Sequence, residues 1–323
     1  MTILAILFSF IFGSIGAYLM SRIGHKLALV DGVNERSSHI TPTPRGGGVG
    51  IWIALIFAGV FVFRSAVFTL VVFGVGLLGF LEDVVTLSPK LRLSIQLVLF
   101  AIAVILIWGW HASLYGMLVL LFFVIFMTGT ANFYNFMDGI NGIAAITGIV
   151  GFGLLAYFAY FINMDSKMVL VGMFMLAACL GFLPFNFPRA RVFMGDVGSV
   201  TLGFIFAAMA IGLSRNFLDF VCLSSFLFPF YTDELTTIYA RVKKKENLMI
   251  PHRKHIYQIL SNEMKIPHWK VSAAYGAMQL AIGVSVLLLR PFGILPVLSA
   301  LILYFVVAVM LAHAIRDRLE FNC

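Results

Sequence analysis

Apolar runs of 16–22 residues recur along the whole chain, close to the roughly 20 residues an α-helix needs to cross a bilayer. They fall at about 3–21, 47–63, 66–81, 93–110, 113–131, 143–162, 167–184, 199–214, 217–238, 270–289 and 293–313. Backbone amides cannot stay unpaired against lipid, so such runs must be helices packed on one another. The fold class that follows is all-α, a polytopic membrane protein of ten or eleven helices, ten applying if one short run is re-entrant. Composition agrees: hydrophobic residues make up 61% of the 323 and charged residues 11%, against about 25% charged in a soluble domain. No long linker, low-complexity tract or evident repeat divides the chain, so residues 1–323 read as a single membrane-embedded domain.

Charge is distributed unevenly between the two ends of these helices. Five polar segments, at about 22–46, 82–92, 132–142, 185–198 and 239–269, alternate with short connections. Those segments, Lys270 at the edge of the fifth, and the C-terminal tail hold 18 of the 22 Lys and Arg, leaving only Arg64, Lys167, Arg215 and Arg290 opposite. Of 14 acidic residues, only Asp165 and Asp219 fall in the opposite connections. The positive-inside bias then places the polar segments in the cytoplasm, with the N-terminus outside and the C-terminus inside. The net charge of +8 is mostly this topology; it needs no nucleic acid, though it suits anionic lipid heads and phosphates. Met1-Thr2-Ile3-Leu4 opens without a basic stretch or a small-residue cleavage site, which reads as a retained helix rather than a removed signal peptide. Cys179 and Cys222 lie in apolar runs and Cys323 is last, so no disulfide framework or metal-thiolate spacing is present.

The first polar segment runs Asp31-Gly-Val-Asn34-Glu-Arg36-Ser-Ser-His39-Ile-Thr-Pro42-Thr-Pro44-Arg45-Gly46-Gly47-Gly48. Its prolines stiffen the chain and its glycines permit close backbone approach. Arg36 and Arg45 have the forked donors that hold phosphate; a topogenic basic loop explains the segment equally well. The second, from Glu82-Asp83 to Ser88-Pro89-Lys90-Leu-Arg92, sets two adjacent carboxylates at the end of an apolar helix. They repel one another unless a cation or ligand relieves them, and a solvated helix end is the plainer reading. The third, Asn132-Phe-Tyr-Asn135-Phe-Met-Asp138-Gly139-Ile-Asn141-Gly142, repeats polar residues every three positions and holds no Lys or Arg. Asparagine packing between helices is one reading; a carboxylate without a local cation favours an external one. In the fourth, Asn186-Phe-Pro188-Arg189-Ala-Arg191-Val-Phe193-Met-Gly195-Asp196-Val-Gly198, an aspartate precedes an apolar helix. It either caps that helix or binds a hard cation such as Mg2+ together with substrate phosphate, with Arg189 and Arg191 balancing phosphate charge. The fifth joins Lys243-Lys244-Lys245 to Pro251-His252-Arg253-Lys254-His255-Ile-Tyr257-Gln258. Its excess of cations disfavours zinc and favours an anion. His25, His111, His268 and His313 have no comparable surroundings.

Taken in order, these segments resemble the polyprenyl-phosphate N-acetylhexosamine-1-phosphate transferases (glycosyltransferase family 4) over roughly residues 31–260. His39-Ile-Thr-Pro-Thr-Pro-Arg45-Gly-Gly and His252-Arg-Lys-His255-Ile-Tyr-Gln bring the chain nearer the O-antigen-initiating branch, including the WbpL-like proteins, than the peptidoglycan translocase, whose last loop carries consecutive histidines. The resemblance implies attack by undecaprenyl phosphate on a UDP-N-acetylhexosamine, giving the lipid-linked diphospho-sugar and UMP at a bacterial inner membrane. It implies Mg2+, with Mn2+ as an alternative, and Asp196 as its ligand. Glu82, Asp83 and Asp138 become candidate catalytic carboxylates. Arg45, Asn132, Asn135, Asn141, Asn186, Phe193, His252, Arg253 and His255 become substrate contacts, Phe193 by stacking on uracil. The resemblance admits a homodimer, and it does not distinguish GlcNAc, FucNAc and QuiNAc nucleotides.

Two positions depart from the family pattern: Glu82 stands where an aspartate is usual, and Asn141 where many relatives have an acid. A phosphate monoester, with its second pKa near 6, is mostly dianionic at pH 7. Removing its proton therefore contributes little, and the expected chemistry is direct in-line attack, with Asp83 and Glu82 positioning the metal or the lipid phosphate. Competing readings are a multipass transporter or flippase for a lipid-linked or anionic substrate, a structural assembly subunit and, within the family, a phospho-MurNAc-pentapeptide translocase.

Overall fold

The computed structural model describes residues 2–27, 29–32, 41–85, 87–247 and 252–320, so Arg36, His39, Pro251 and Cys323 lie outside it. Helix α1 (Thr2–Ile23) leads into a short antiparallel pairing of β1 (Val30–Asp31) with β2 (Thr43–Pro44). Then come α2 (Val49–Ala58), α3 (Ala66–Val84), α4 (Pro89–Trp108) and α5 (Leu114–Phe136). The middle of the chain forms α6 (Ile143–Phe158), α7 (Ser166–Asn186) and α8 (Asp196–Leu213). Helices α9 (Phe217–Ser224) and α10 (Phe228–Lys243), the single turn α11 (Ile256–Gln258), α12 (His268–Leu289) and α13 (Ile294–Glu320) complete it.

Each of the eleven apolar runs is helical, but among the described residues only nine helices are long and apolar enough to cross a membrane. The run expected at 47–63 forms only the shorter apolar helix Val49–Phe63. The run expected at 217–238 is broken between α9 and α10 by a tight turn at Ser225–Leu227. Pro229 stands at the first turn of α10, where its missing N–H is tolerated. Beyond it Asp233, Glu234 and Arg241 are buried, which makes α10 a polar element of the protein interior. Other helices outrun their apolar stretches: α3 extends to Val84 and α5 to Phe136. Glu82, Asp83, Asn132 and Asn135 therefore stand on helix ends rather than in loops, because their side chains find partners between helices.

Helix α8 is the hub of the bundle. It packs against α2, α3, α4, α5, α6 and α9, and 89% of its apolar length is inside the protein, against 6% for α13 at the rim. Small residues permit such close approach within a membrane. At Gly79 of α3 an added Cβ would run into the backbone of Asp196 and Val197. That contact sets the end of α3 against the start of α8, where three polar segments meet.

The opposite end of the bundle is closed by local structure. Helices α2 and α6 each finish in a widened turn, Gly59–Phe63 and Ala159–Asn163. One left-handed residue follows, Arg64 at φ 53° and Met164 at φ 54°. A side-chain cap then starts the next helix, with Ser65 accepting from Phe68 N–H and Asp165 from Lys167 and Met168 N–H. Asp219, the other acid at this end, accepts from Arg290 Nε at 3.0 Å and Nη2 at 2.6 Å. Arg215 reaches the Asn163 carbonyl at 2.5 Å, and Asn163 the Leu213 carbonyl at 2.7 Å. Both acids therefore hold structure. Arg290→Met strands a buried carboxylate and is expected to destabilise the protein by about 3 kcal/mol, read as a lowered thermal midpoint in detergent.

Candidate active site

The first amides of α8 have no partner within their own helix. Asp196 N–H donates to Oδ1 of Asp83 at 3.0 Å and Val197 N–H to Oδ2 at 3.2 Å. A carboxylate from the last turn of α3 thus caps α8, where its charge also suits the positive end of the helix. Asp83 is 2% exposed. Gly195, at φ 74°, allows the approach: a Cβ there would strike the Asp83 carboxylate, and the conformation itself favours glycine. Asp196 therefore does not cap its own helix, and its side chain is left for the cleft.

The Asp196 carboxylate, a quarter exposed, lies 3.5 Å from Nη1 of Arg92 and is hydrogen-bonded by Asn135. The same Nη1 is 3.7 Å from Oε1 of Glu82, whose Oε2 accepts from Leu87 N–H at 3.3 Å. Asn132 orients the guanidinium by accepting from Nη2 at 3.4 Å while donating to Gln96 Oε1 and the Thr128 carbonyl, both at 2.8 Å. Asn135 also donates to Ser199 Oγ at 2.9 Å. Arg92, Gln96 and Ser199 were not singled out by sequence reasoning. Arg92 and Gln96 are four residues apart, on one face at the start of α4, and that spacing was the available signal.

Two groups in this region lack partners, and they are opposite in sign. Among the described residues the Asp138 carboxylate has no hydrogen bond or ion pair. Burial first, then the charges of Asp196 and Asp83, hold it well above the usual carboxylate range. Arg45 Nε is buried without a hydrogen-bond partner. Its loop is fixed by Gly47 N–H to the Phe193 carbonyl (2.9 Å), Gly48 N–H to the Met194 carbonyl (2.8 Å) and Phe193 N–H to the Pro44 carbonyl (2.8 Å).

The remaining candidates divide by what they touch. The Asn186 amide is fully engaged, accepting from Gly142 N–H at 2.6 Å and donating to the Val192 carbonyl at 2.9 Å. It clamps two polar segments together. Asn141 joins the same seam, donating to the Pro188 carbonyl at 3.2 Å, and its own carbonyl accepts from Ser272 at 2.8 Å. Tyr257 donates to the Phe136 carbonyl at 2.9 Å, which packs the histidine segment onto the Asp138 turn. In that segment His255 is buried, its Nδ1 3.4 Å from Glu234 Oε2, and both atoms lack a geometrically adequate hydrogen bond. Burial raises the Glu234 carboxyl to about 7 against the pull of His255. Asp233 accepts from Ile256 and Tyr257 N–H at 2.7 and 3.1 Å and from Tyr275 at 2.6 Å, anchoring α11. The sequence did not mark Asp233 or Glu234, since both lie inside an apparently spanning run. Burial, followed by His255, Arg241 and Lys254, lowers His252 to about 4, so it is neutral at pH 7. Arg253 is exposed, 3.6 Å from Glu263, and is not drawn into the cleft. Arg191 stacks on Phe185, on the side of α1.

The donor set fits Mg2+. Among the described residues no three His, Cys, Asp or Glu side chains have metal-ligand spacing. Mg2+, however, usually takes one or two carboxylates and completes its shell with water and substrate phosphate. A quarter-exposed Asp196 and a partnerless Asp138 supply that kind of site, with Arg45 and Arg92 beside it for phosphate.

Comparison with known proteins agrees with this geometry. The model of glycosyl transferase family 4 matches residues 65–214, from the cap of α3 to the end of α8. The undecaprenyl-phosphate alpha-N-acetylglucosaminyl 1-phosphate transferase of Thermotoga maritima is 29% identical over 259 residues, 78% of this chain and 79% of that protein. A probable undecaprenyl-phosphate N-acetylglucosaminyl 1-phosphate transferase of Bacillus subtilis is 27% identical over 75% of this chain and 72% of its own. A phospho-N-acetylmuramoyl-pentapeptide-transferase of Staphylococcus saprophyticus is 37% identical, over only 36% of this chain and 38% of its own. The fold around the site is that of an α-helical, multi-pass membrane protein. Residues 65–214 are similar to glycosyl transferase family 4, and about three quarters of the chain is similar to the two N-acetylglucosaminyl 1-phosphate transferases.

Asn186→Ala removes both hydrogen bonds of the clamp and leaves buried backbone groups unpaired. It is expected to cost about 2–4 kcal/mol, whereas exposed Arg253→Ala stays within about 0.5 kcal/mol; thermal midpoints of the two variants in one detergent make the comparison.

Proposed function

We propose that this cleft transfers an N-acetylhexosamine 1-phosphate from a UDP-sugar to undecaprenyl phosphate and releases UMP. The observation that carries the reading is the pair of unpartnered groups beside Asp196, a part-buried carboxylate at Asp138 and a buried guanidinium Nε at Arg45. Such a pair suits a cation and a phosphate brought in together. The names of the relatives matched over most of the chain support the same reaction.

In this reading an oxygen of the lipid phosphate attacks the sugar-bearing phosphorus in line. The new O–P bond forms as the bond to the UMP oxygen breaks. The attacking phosphate is already mostly dianionic at pH 7, so the reaction does not turn on a strong base. The hydrogen bonds of Asp83 and Glu82 fit that view, since both Asp83 oxygens already serve the amides of α8. Asp83 positions Asp196, and Glu82 with Asn132 positions Arg92. Arg92 and Arg45 offset the charge of the converging phosphates, the main obstacle when two anions meet. Phe193 stacks on uracil, Asn135 and Asn141 face the nucleotide and diphosphate, and His252 and His255 meet the sugar-phosphate end. Mg2+, or Mn2+ in its place, would be held by Asp196 with help from Asp138 and would neutralise diphosphate charge.

The cleft faces the cytoplasm of a bacterial inner membrane, with the N-terminus outside and the C-terminus inside, by the bias of Lys and Arg. The product starts an O-antigen or a related envelope polysaccharide, and the enzyme admits a homodimer. The transporter reading is not favoured, because Asp165 and Asp219 at the far end are engaged in caps and ion pairs.

The test is UMP release from UDP-sugars in the presence of polyprenyl phosphate, with and without Mg2+. Asp196→Asn is expected to lower kcat by about a hundredfold or more; intact, chelator-resistant release would end the metal assignment. Asp83→Asn should lose the same factor throughout the range from about pH 6 to pH 8.5, since positioning does not titrate with the lipid phosphate. A loss that changes steeply across that range would return Asp83 to the role of a base.

A further inference from the structure

A second polar cavity, of about 420 Å3, lies between α1, β2 and the segment after α7. That is within the roughly 300–1,000 Å3 of small-molecule sites. Tyr18, Ser21 and Arg22 on one face of α1, with His25 just beyond it, form one wall; Pro42, Pro44, Phe185 and Arg191 form the other. Glu82, Asp83, Asp138, Asp196, His252 and His255 do not line it, so it is separate from the transferase cleft.

The cavity has one sign of charge. Arg22, His25 and Arg191 line it together with no carboxylate, and among the described residues none of the three is in an ion pair. The two guanidinium groups are held in place by aromatic rings. Cζ of Arg22 lies 5.6 Å from the centre of Tyr18, and that of Arg191 5.5 Å from Phe185. The rings meet edge to face at 6.4 Å. Stacking through the flat face leaves in-plane donors to fork onto phosphate, although one, Arg191 Nη2, also reaches the Pro184 carbonyl at 3.3 Å.

The position is that of a lipid headgroup. Arg22 is in the last turn of a helix long enough to span the bilayer, where the apolar interior gives way to the phosphate layer. Below it an exposed stripe of Phe8, Ile11, Ile15 and Tyr18 leads down α1 at alternating spacings of three and four. Acyl chains fit such a stripe, whereas a free phosphate has no use for it. Basic pockets between spanning helices hold anionic lipid heads by the same physics. A quaternary ammonium head is disfavoured, because the guanidinium groups already occupy the ring faces that would cage it.

We propose that this cavity binds the phosphodiester headgroup of an anionic bilayer phospholipid, with Arg22 and Arg191 on the phosphate and the acyl chains along Phe8, Ile11 and Ile15. The test is native mass spectrometry of the full-length, delipidated protein titrated with phosphatidylglycerol, with phosphatidylcholine of the same chains and with inorganic phosphate. Phosphatidylglycerol should bind roughly tenfold more tightly than phosphatidylcholine. The doubly substituted Arg22→Gln/Arg191→Gln protein should lose that preference, about the scale of one charge-assisted contact, and Arg22→Lys/Arg191→Lys should keep most of it. Equal uptake of the two lipids, or unchanged preference in the Gln variant, overturns the proposal. So does competition by inorganic phosphate as strong as by the lipid, which would make this a free-anion site. Ile15→Trp, with both arginines intact, gives a reading that does not depend on how the Gln variant folds. Its fluorescence in nanodiscs should be quenched more by brominated phosphatidylglycerol than by brominated phosphatidylcholine, and equal quenching counts against the site.

Discussion

The bond between the Asp83 carboxylate and the first two amides of α8 is the constraint on which the site depends. Helix α8 is enclosed on nearly every side, so its leading N–H groups have little access to water and would be costly to leave bare. A carboxylate from another helix satisfies them and fixes where α8 begins. Asp196, the first residue of that helix, is thereby aimed with the accuracy of a helix terminus rather than of a loop. The arrangement also gathers negative charge. The charges of Asp196 and Asp83 raise the cost of ionising Asp138, and Arg92 and Arg45 are the counterweight.

Much of this was legible in the sequence, and the exceptions have physical reasons. Lipid forces runs of apolar residues into helices, so every expected run is helical. The 217–238 run misled because a tight turn at Ser225–Leu227 breaks it and because Asp233 and Glu234, inside it, are buried among polar partners. Glu82, Asp83, Asn132 and Asn135 stood out as polar residues at the edges of apolar runs, and the structure brings them together around Asp196. Arg92 was visible only as one more basic residue, since its value lies in pairing with residues 10 and 104 positions away. Asn186 could be marked as a site residue but not as a clamp, because Gly142 lies 44 positions away in the chain. Arg253 stood in a dense motif and yet points to solvent and Glu263.

Six of the basic residues at the polar end of the bundle therefore fall into three groups that composition alone runs together. Arg45 and Arg92 face carboxylates in the cleft. Arg22 and Arg191 stack on aromatic rings at its flank. Arg241 and Lys254 pair with Glu246 in the last polar segment. A positive-inside count treats them alike; their surroundings do not.

The closed far end has a consequence for direction. Its turns are tight, and among the described residues Asp165 caps a helix while Asp219 is held by Arg290. On the proposed reaction, a product made beside Asp196 leaves on the side from which its ingredients came. On the same reading, a charged head attached to lipid in this cleft stays in the leaflet where it was built. Its passage to the other leaflet is a task for different machinery, and this fold acts as a one-sided workbench rather than a gate.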